Sequence, residues 1–219
     1  MRNTILILSI ALLFFLPQPV SQEQTDYGTM TEAERGVFDG ILSAVDAGQA
    51  VVRCEGIVNH DRVRTHLGLY YGTVKGLGRL YTVVNGDIHL NLNAFPAFEQ
   101  NRLMVNAKVD KALPHIRQGT DRYKLKKIAK YIADNYCYID GEFVCADYAI
   151  LFYKIASRLG IQTYLCFGYS CDELHAWNYA GGRFYDVTWY DSTGNREYIG
   201  SKNEWGRQSV KNDAYACLK

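Results

Sequence analysis

The chain has 219 residues, with 24 Lys and Arg against 23 Asp and Glu, 48% hydrophobic and 13% aromatic side chains. That is the composition of an ordinary globular protein, and a charge so close to balance gives no reason to expect nucleic acid or an anionic membrane surface as partner. Six cysteines, at 54, 137, 145, 166, 171 and 217, are too scattered for a small disulfide scaffold and show no zinc spacing.

In chain order, residues 5–16 are uncharged and apolar or small, follow Arg2, and give way to Pro17-Gln18-Pro19-Val20-Ser21. A helix over them would rise only about 18 Å against the roughly 30 Å hydrocarbon core, so 1–21 is read as a cleaved secretory signal peptide rather than an anchor. The expected location is secreted or extracytoplasmic, with no stable membrane insertion. In that oxidising setting cysteines pair unless chemistry needs a free thiol. Cys166 and Cys171 bracket four residues and are a candidate small loop.

Thr31 and Glu34 form a capping box before Val37, Phe38, Ile41, Leu42 and Val45, predicting a helix to about Ala47. Leu80–Val84 and Ile88–Leu92 flank Asn85-Gly86, a hairpin in which Val83 faces Ile88, Tyr81 faces Leu90, and His89 lies on the polar side. His60, His66 and His115 sit in polar segments and are expected to be solvated. A helix is predicted from Arg102 to Leu113, stopped by Pro114, and another after Gly119-Thr120 with Leu125, Ile128, Ala129 and Ile132 as its buried stripe. Lys124, Lys126, Lys127 and Lys130 are read as its solvated face.

Residues 145–159 place Tyr148, Ala149, Phe152, Ile155, Ala156 and Leu159 on one helical stripe, with Gly160 as terminator. Cys145 therefore falls in the first turn, where unpaired N–H groups and the helix dipole favour a thiolate, the nucleophilic form. Ile161–Phe167 reads as a strand, and 175–180 and 183–189 as a second hairpin around Gly181-Gly182. A two-residue turn pairs Ala180 with Arg183 and makes His175 and Asp186 diagonal neighbours on one face, within reach of a hydrogen bond. The chemistry that follows is nucleophilic: Cys145 attacks a carbonyl, His175 carries the proton, and Asp186 orients the ring and stabilises its cation.

Four motifs, Val144-Cys145-Ala146-Asp147-Tyr148-Ala149, Arg158-Leu159-Gly160-Ile161, His175-Ala176-Trp177-Asn178 and Phe184-Tyr185-Asp186-Val187-Thr188-Trp189, occur in an order and spacing that resemble the transglutaminase-like superfamily, close to its secreted bacterial members. The resemblance covers about residues 120–191. It implies an α+β chain with a papain-like, transglutaminase-like core, its nucleophile at a helix N-terminus packed on an antiparallel sheet. The implied division is a signal peptide at 1–21, an N-terminal α+β extension at 22–119 and a catalytic core at 120–219.

The implied triad is Cys145, His175 and Asp186, with Asp186 rather than Asp191 as the acid, and the implied chemistry is thioester chemistry on an amide. The oxyanion hole would include the Cys145 N–H, with Tyr138 and Asn135 as candidates for a second donor. Glu142-Phe143-Val144 stand where the family usually has a small residue before the cysteine. The papain signature around the nucleophile is missing, as is the Arg-Gly-Gly-x-Cys of arylamine acetyltransferases. Expected partners are a protein or peptide substrate and, for transfer, a primary amine acceptor; no cofactor or metal is expected. Trp177 and Trp189 are read as core packing in preference to an acyl channel. The alternative function is a catalytically silent transglutaminase-like binding or scaffold module.

Overall fold

Thr31 starts the first helix by exchanging hydrogen bonds with Glu34: its Oγ1 accepts the Glu34 N–H at 3.2 Å, and Glu34 Oε2 accepts the Thr31 N–H at 2.8 Å. The computed structural model describes residues 30–139, 143–170, 173–202 and 216–218; the expected signal peptide lies outside them, as does Cys171. Helix α1 (Glu32–Asp46) buries Val37, Phe38, Ile41 and Ala44. The other Glu34 oxygen accepts the N–H of Asn59, whose side chain caps α2 (His60–Tyr71), so one carboxylate ties the two helix starts together. His66 of α2 is buried, contrary to the solvated position expected of it. It follows Val63 by three residues and precedes Leu69 by three, which puts it on the apolar stripe despite its polar sequence neighbours.

Strands β1 (Val51–Val52), β2 (Tyr81–Val84) and β3 (Asp87–Leu90) form an antiparallel sheet in the order β1-β3-β2. Asn85 and Gly86 both have positive φ, 53° and 88°, the backbone of a type I′ turn, and Val83 pairs with Ile88 and Tyr81 with Leu90 as that turn requires. His89 is exposed, on the side opposite Ile88.

Helix α3 (Phe95–Ile116) is longer than its sequence suggests at both ends. Pro96 sits in the first turn, where no N–H is needed, and Pro114 sits in the last, where only one intrahelical bond is lost. Its first turn packs Phe95 and Phe98 into a core built from 30–98, and its second half packs Val105, Val109, Ala112, Leu113 and Ile116 into a second core reaching to Ile199. Gly72 ends α2 with φ 77°, and a Cβ there would lie 2.9 Å from Val105 Cγ2. Gly72→Ala combines a left-handed backbone penalty with a clash at this junction; about 2–4 kcal/mol of stability should be lost, measurable by urea denaturation.

Helix α4 (Asp121–Asn135) is capped by Thr120 and buries the predicted Leu125, Ile128, Ala129 and Ile132. Helix α5 (Cys145–Arg158) ends before Gly160, whose φ is 72°, and is buried on nearly every side from Ala146 to Ala156. Strands β4 (Thr163–Ser170), β5 (Glu173–Ala180), β6 (Arg183–Tyr185), β7 (Ile199–Ser201) and β8 (Ala216–Leu218) form an antiparallel sheet ordered β7-β6-β5-β4-β8. Gly181 and Gly182, φ 55° and 71°, make a second type I′ turn, and the pairs Ala180–Arg183, Tyr179–Phe184 and Asn178–Tyr185 follow the predicted register.

The last strand of that hairpin is shorter than expected. Instead of continuing to Trp189, it stops at Tyr185, and Val187–Thr193 forms helix α6 with Asp186 as its N-cap. Val187, Thr188 and Trp189 have the side chains of a strand, but the capping carboxylate overrides that preference. Among the described residues, no helix is long and apolar enough to cross a membrane. The chain is thus α+β with two antiparallel sheets.

Candidate active site

Two contacts fix α5 against the sheet. Asn178, wholly buried on β5, donates from Nδ2 to the Ala149 carbonyl of α5 at 3.0 Å, and Leu69 from the N-terminal half packs with Ala146, Ala149, Ile150, Leu165 and Ala176. At the start of α5, the Asp147 carboxylate accepts the Val144 N–H at 2.9 Å and pairs with Lys75 Nζ at 3.1 Å. Val144 has no side-chain acceptor to give in return, so Asp147 alone secures this first turn. Cys145 is its first helical residue, half-buried, with a free thiol.

His175 comes from β5, two turns of the pleat from Tyr179 and adjacent to the α5 contact. Its ring is only 9% exposed, and its Nε2–H donates to Asp186 Oδ2 at 2.8 Å. Asp186 is fully buried and uses its other oxygen, Oδ1, to accept the Trp189 N–H at 3.1 Å. The carboxylate that holds the ring is itself held by the helix it caps. Cys145 and His175 line one cleft, and the Cys145 side chain is among the groups that raise the His175 pKa. With Nε2 committed to Asp186, Nδ1 is the ring nitrogen left to serve the sulfur.

All three predicted residues therefore meet, though by a different local route from the one read in the sequence. The contact between His175 and Asp186 was expected as a diagonal across two strands, whereas it is made to a helix N-cap just beyond the end of β6. Asp191 is engaged elsewhere: its Oδ2 accepts the Tyr148 hydroxyl at 2.6 Å, and burial together with this bond pushes the Tyr148 phenol well above its ordinary range.

Trp177 and Trp189 flank the imidazole, with ring centroids at 6.0 and 6.3 Å. Trp177 is buried in the core, and Trp189 lines a cleft of about 190 Å3 with Cys145, His175, Tyr138, Leu174, Thr188 and Ser192. Of the two candidate oxyanion donors, Tyr138 is in this wall, while Asn135 donates its amide to the Tyr131 carbonyl at 2.8 Å on the surface. Thr188 and Ser192 were missed because α6 was read as strand; the signal available was Asp186 itself, a strong N-cap residue. Leu174 is 73% exposed at the rim.

Electrostatics favour a protonated ring. Burial by itself disfavours the imidazolium, but the hydrogen bonds to Asp186 and Cys145 and their charges outweigh it and raise the His175 pKa to about 9. A group whose pKa rises from 6.5 to about 9 on folding contributes stability that is complete below pH 6.5 and is lost as pH climbs through 9. The contribution is on the order of 3 kcal/mol. Urea denaturation should therefore give lower stability at pH 9.5 than at pH 6, with the difference much reduced in His175→Gln.

Cys54 and Cys137 are free, and Cys166 is disulfide-bonded; the backbone register sets Cys217 of β8 across from Cys166. Among the described residues, no group of three or more His, Cys, Asp or Glu side chains is placed to hold a metal ion. Neither the protein-family models nor the curated proteins compared with the chain match it.

Proposed function

We propose that the protein is a secreted, cysteine-dependent amide hydrolase or acyltransferase of the transglutaminase-like kind, acting on protein or peptide substrates through Cys145, His175 and Asp186. One observation carries this reading: a buried imidazole bonded through Nε2 to a buried carboxylate and sharing a cleft with a free thiol at a helix start. The placement of that helix on the sheet supports assigning residues 120–219 to a papain-like, transglutaminase-like core. The disulfide at Cys166 supports an oxidising compartment, in keeping with the leader sequence.

In the proposed reaction, the protonated His175 already holds on Nδ1 the proton given up by the Cys145 thiol, and the sulfur attacks the amide carbonyl carbon. The developing oxyanion faces the Cys145 backbone N–H, with the Tyr138 hydroxyl as candidate second donor. His175 then returns its proton to the amide nitrogen as the C–N bond breaks, leaving a thioester and a free amine or ammonia. Water or a primary amine, deprotonated by Nδ1, attacks the thioester and regenerates the thiol. The cleft mouth, with Leu174 73% and Tyr138 46% exposed, is open to water, which favours hydrolysis over transfer. A silent scaffold draws no support from the sulfur, which is not locked in a disulfide.

The test is a mass spectrum after incubation with a glutamine-containing peptide and a primary amine. Cleavage or loss of ammonia marks hydrolysis, and addition of the amine marks transfer. Wild-type protein that leaves a varied peptide panel unchanged, just as Cys145→Ala does, would contradict the proposal.

A further inference from the structure

Among the described residues lining the cleft, His175 carries the one ionic side chain besides the thiol itself. The remaining wall is apolar or hydroxyl-bearing, from Tyr138, Leu174, Thr188, Trp189 and Ser192. A charged substrate side chain would lose its hydration there without gaining an ion-pair partner.

Leu174 is the unusual member, 73% exposed next to a histidine that is 9% exposed. Singly scattered exposed leucines are ordinary, but this one has company: Tyr138 in the same wall is 46% exposed, and Ile139 beside it in the chain is 47% exposed. The course of β5 brings Leu174 to the sulfur. Residues alternate between the faces of a strand, so Leu174 shares a face with Ala176 and Asn178. Asn178 bonds the Ala149 carbonyl, and Ala176 belongs to the apolar cluster against which Cys145 packs, so β5 runs along α5 toward the helix start. Two residues further on, Leu174 comes level with Cys145, in the cleft they share.

The segment carrying Tyr138 is also held in place. Ile139 and Phe143 exchange backbone hydrogen bonds at 2.9 and 2.8 Å, and the Phe143 ring stacks on Tyr136 and packs against the buried Tyr148, with centroids 5.5 and 4.9 Å apart. Phe143, where the family usually has a small residue, thus anchors one part of the wall. A surface fixed in advance binds with little ordering cost.

We infer that the cleft selects substrates in which a large apolar side chain sits beside the attacked amide, received by Leu174 together with the rings of Tyr138 and Trp189. At about 190 Å3 the cleft is smaller than the roughly 300–1,000 Å3 of pockets that enclose whole small-molecule ligands, which suits a single side chain of a peptide. This preference rests on the thiol chemistry proposed above, whereas the wall can be probed without turnover.

The experiment alkylates Cys145 in the full mature protein with N-phenyl iodoacetamide and with iodoacetamide, the sulfur displacing iodide in each case, and divides each rate by that of glutathione with the same reagent. The phenyl reagent is expected to gain about 10-fold over the plain one at Cys145, from apolar surface removed from water. Leu174→Ser should remove at least about 3-fold of that gain and Leu174→Met should keep it; at 73% exposure neither change disturbs the core. Matched glutamine-containing peptides with Leu or Asp beside the glutamine should differ about 10-fold in kcat/KM, chiefly through KM. The inference is overturned if Cys145 gains nothing from the phenyl group, if Leu174→Ser retains the whole gain, or if the two peptides are turned over equally. A Cys145 that reacts with plain iodoacetamide no faster than glutathione, and no differently in His175→Ala, would contradict the proposed enzyme while leaving the ratio between the two reagents readable, so the two failures are distinct.

Discussion

Cys145→Ala is expected to reduce turnover of a peptide amide by at least about 10,000-fold, with His175→Ala and the double variant falling to the same residual rate, since residues that act as a unit are not additive. The reason is geometric. Among the described residues lining its cleft, the sulfur has one basic side chain, His175, and that ring is fixed by a carboxylate with no exposed surface. Removing either the nucleophile or the group that carries its proton stops the same step. Single-turnover assays on the three variants make the comparison, and a His175→Ala rate within about tenfold of wild type would be incompatible with proton transfer by that ring.

Asp186→Asn is expected to separate two functions that one side chain now performs. Asparagine retains an oxygen able to accept the Trp189 N–H, so the α6 cap persists, and the stability lost at neutral pH should be no more than the roughly 3 kcal/mol tied to the His175 imidazolium, a loss that disappears above pH 9. The charge that stabilises the imidazolium is lost, and an amide can present either oxygen or nitrogen to Nε2, so the ring no longer has a single favoured tautomer. Turnover should fall by about 10,000-fold, as for the equivalent change in other triads. The pH profile should change with it: in the wild type the acid form of the histidine persists to about pH 9, and in Asp186→Asn the alkaline limb should move to lower pH. Asp186→Ala, which also removes the cap, should be markedly less stable than Asp186→Asn in the same denaturant titration.

What could be read from the sequence was governed by how local its cause is. The capping box at Thr31 and Glu34, the Thr120 cap and the Asn85-Gly86 and Gly181-Gly182 turns each depend on a few adjacent residues, and each takes the predicted form. The register of the second hairpin follows from its turn and was legible for the same reason. At Asp186 two local rules compete. The strand preference of Val187, Thr188 and Trp189 conceals the N-cap, and with it the contribution of Thr188 and Ser192 to the cleft. The ends of α3 were obscured by prolines that are harmless where they fall, and burial of His66 depended on helical phase. The approach of Cys145 to His175 has no local signature at all, because it depends on tertiary contacts such as the bond from Asn178 to the Ala149 carbonyl.

The protein contains its own reference for the reactivity of Cys145. Cys137 is free and exposed, whereas Cys145 is free and half-buried, so access alone would favour alkylation at Cys137. Limited treatment with iodoacetamide at pH 7, followed by peptide mapping, should label Cys145 first, and His175→Ala should reverse the order. Labelling of Cys137 ahead of Cys145 in the wild type would contradict an activated nucleophile at the start of α5.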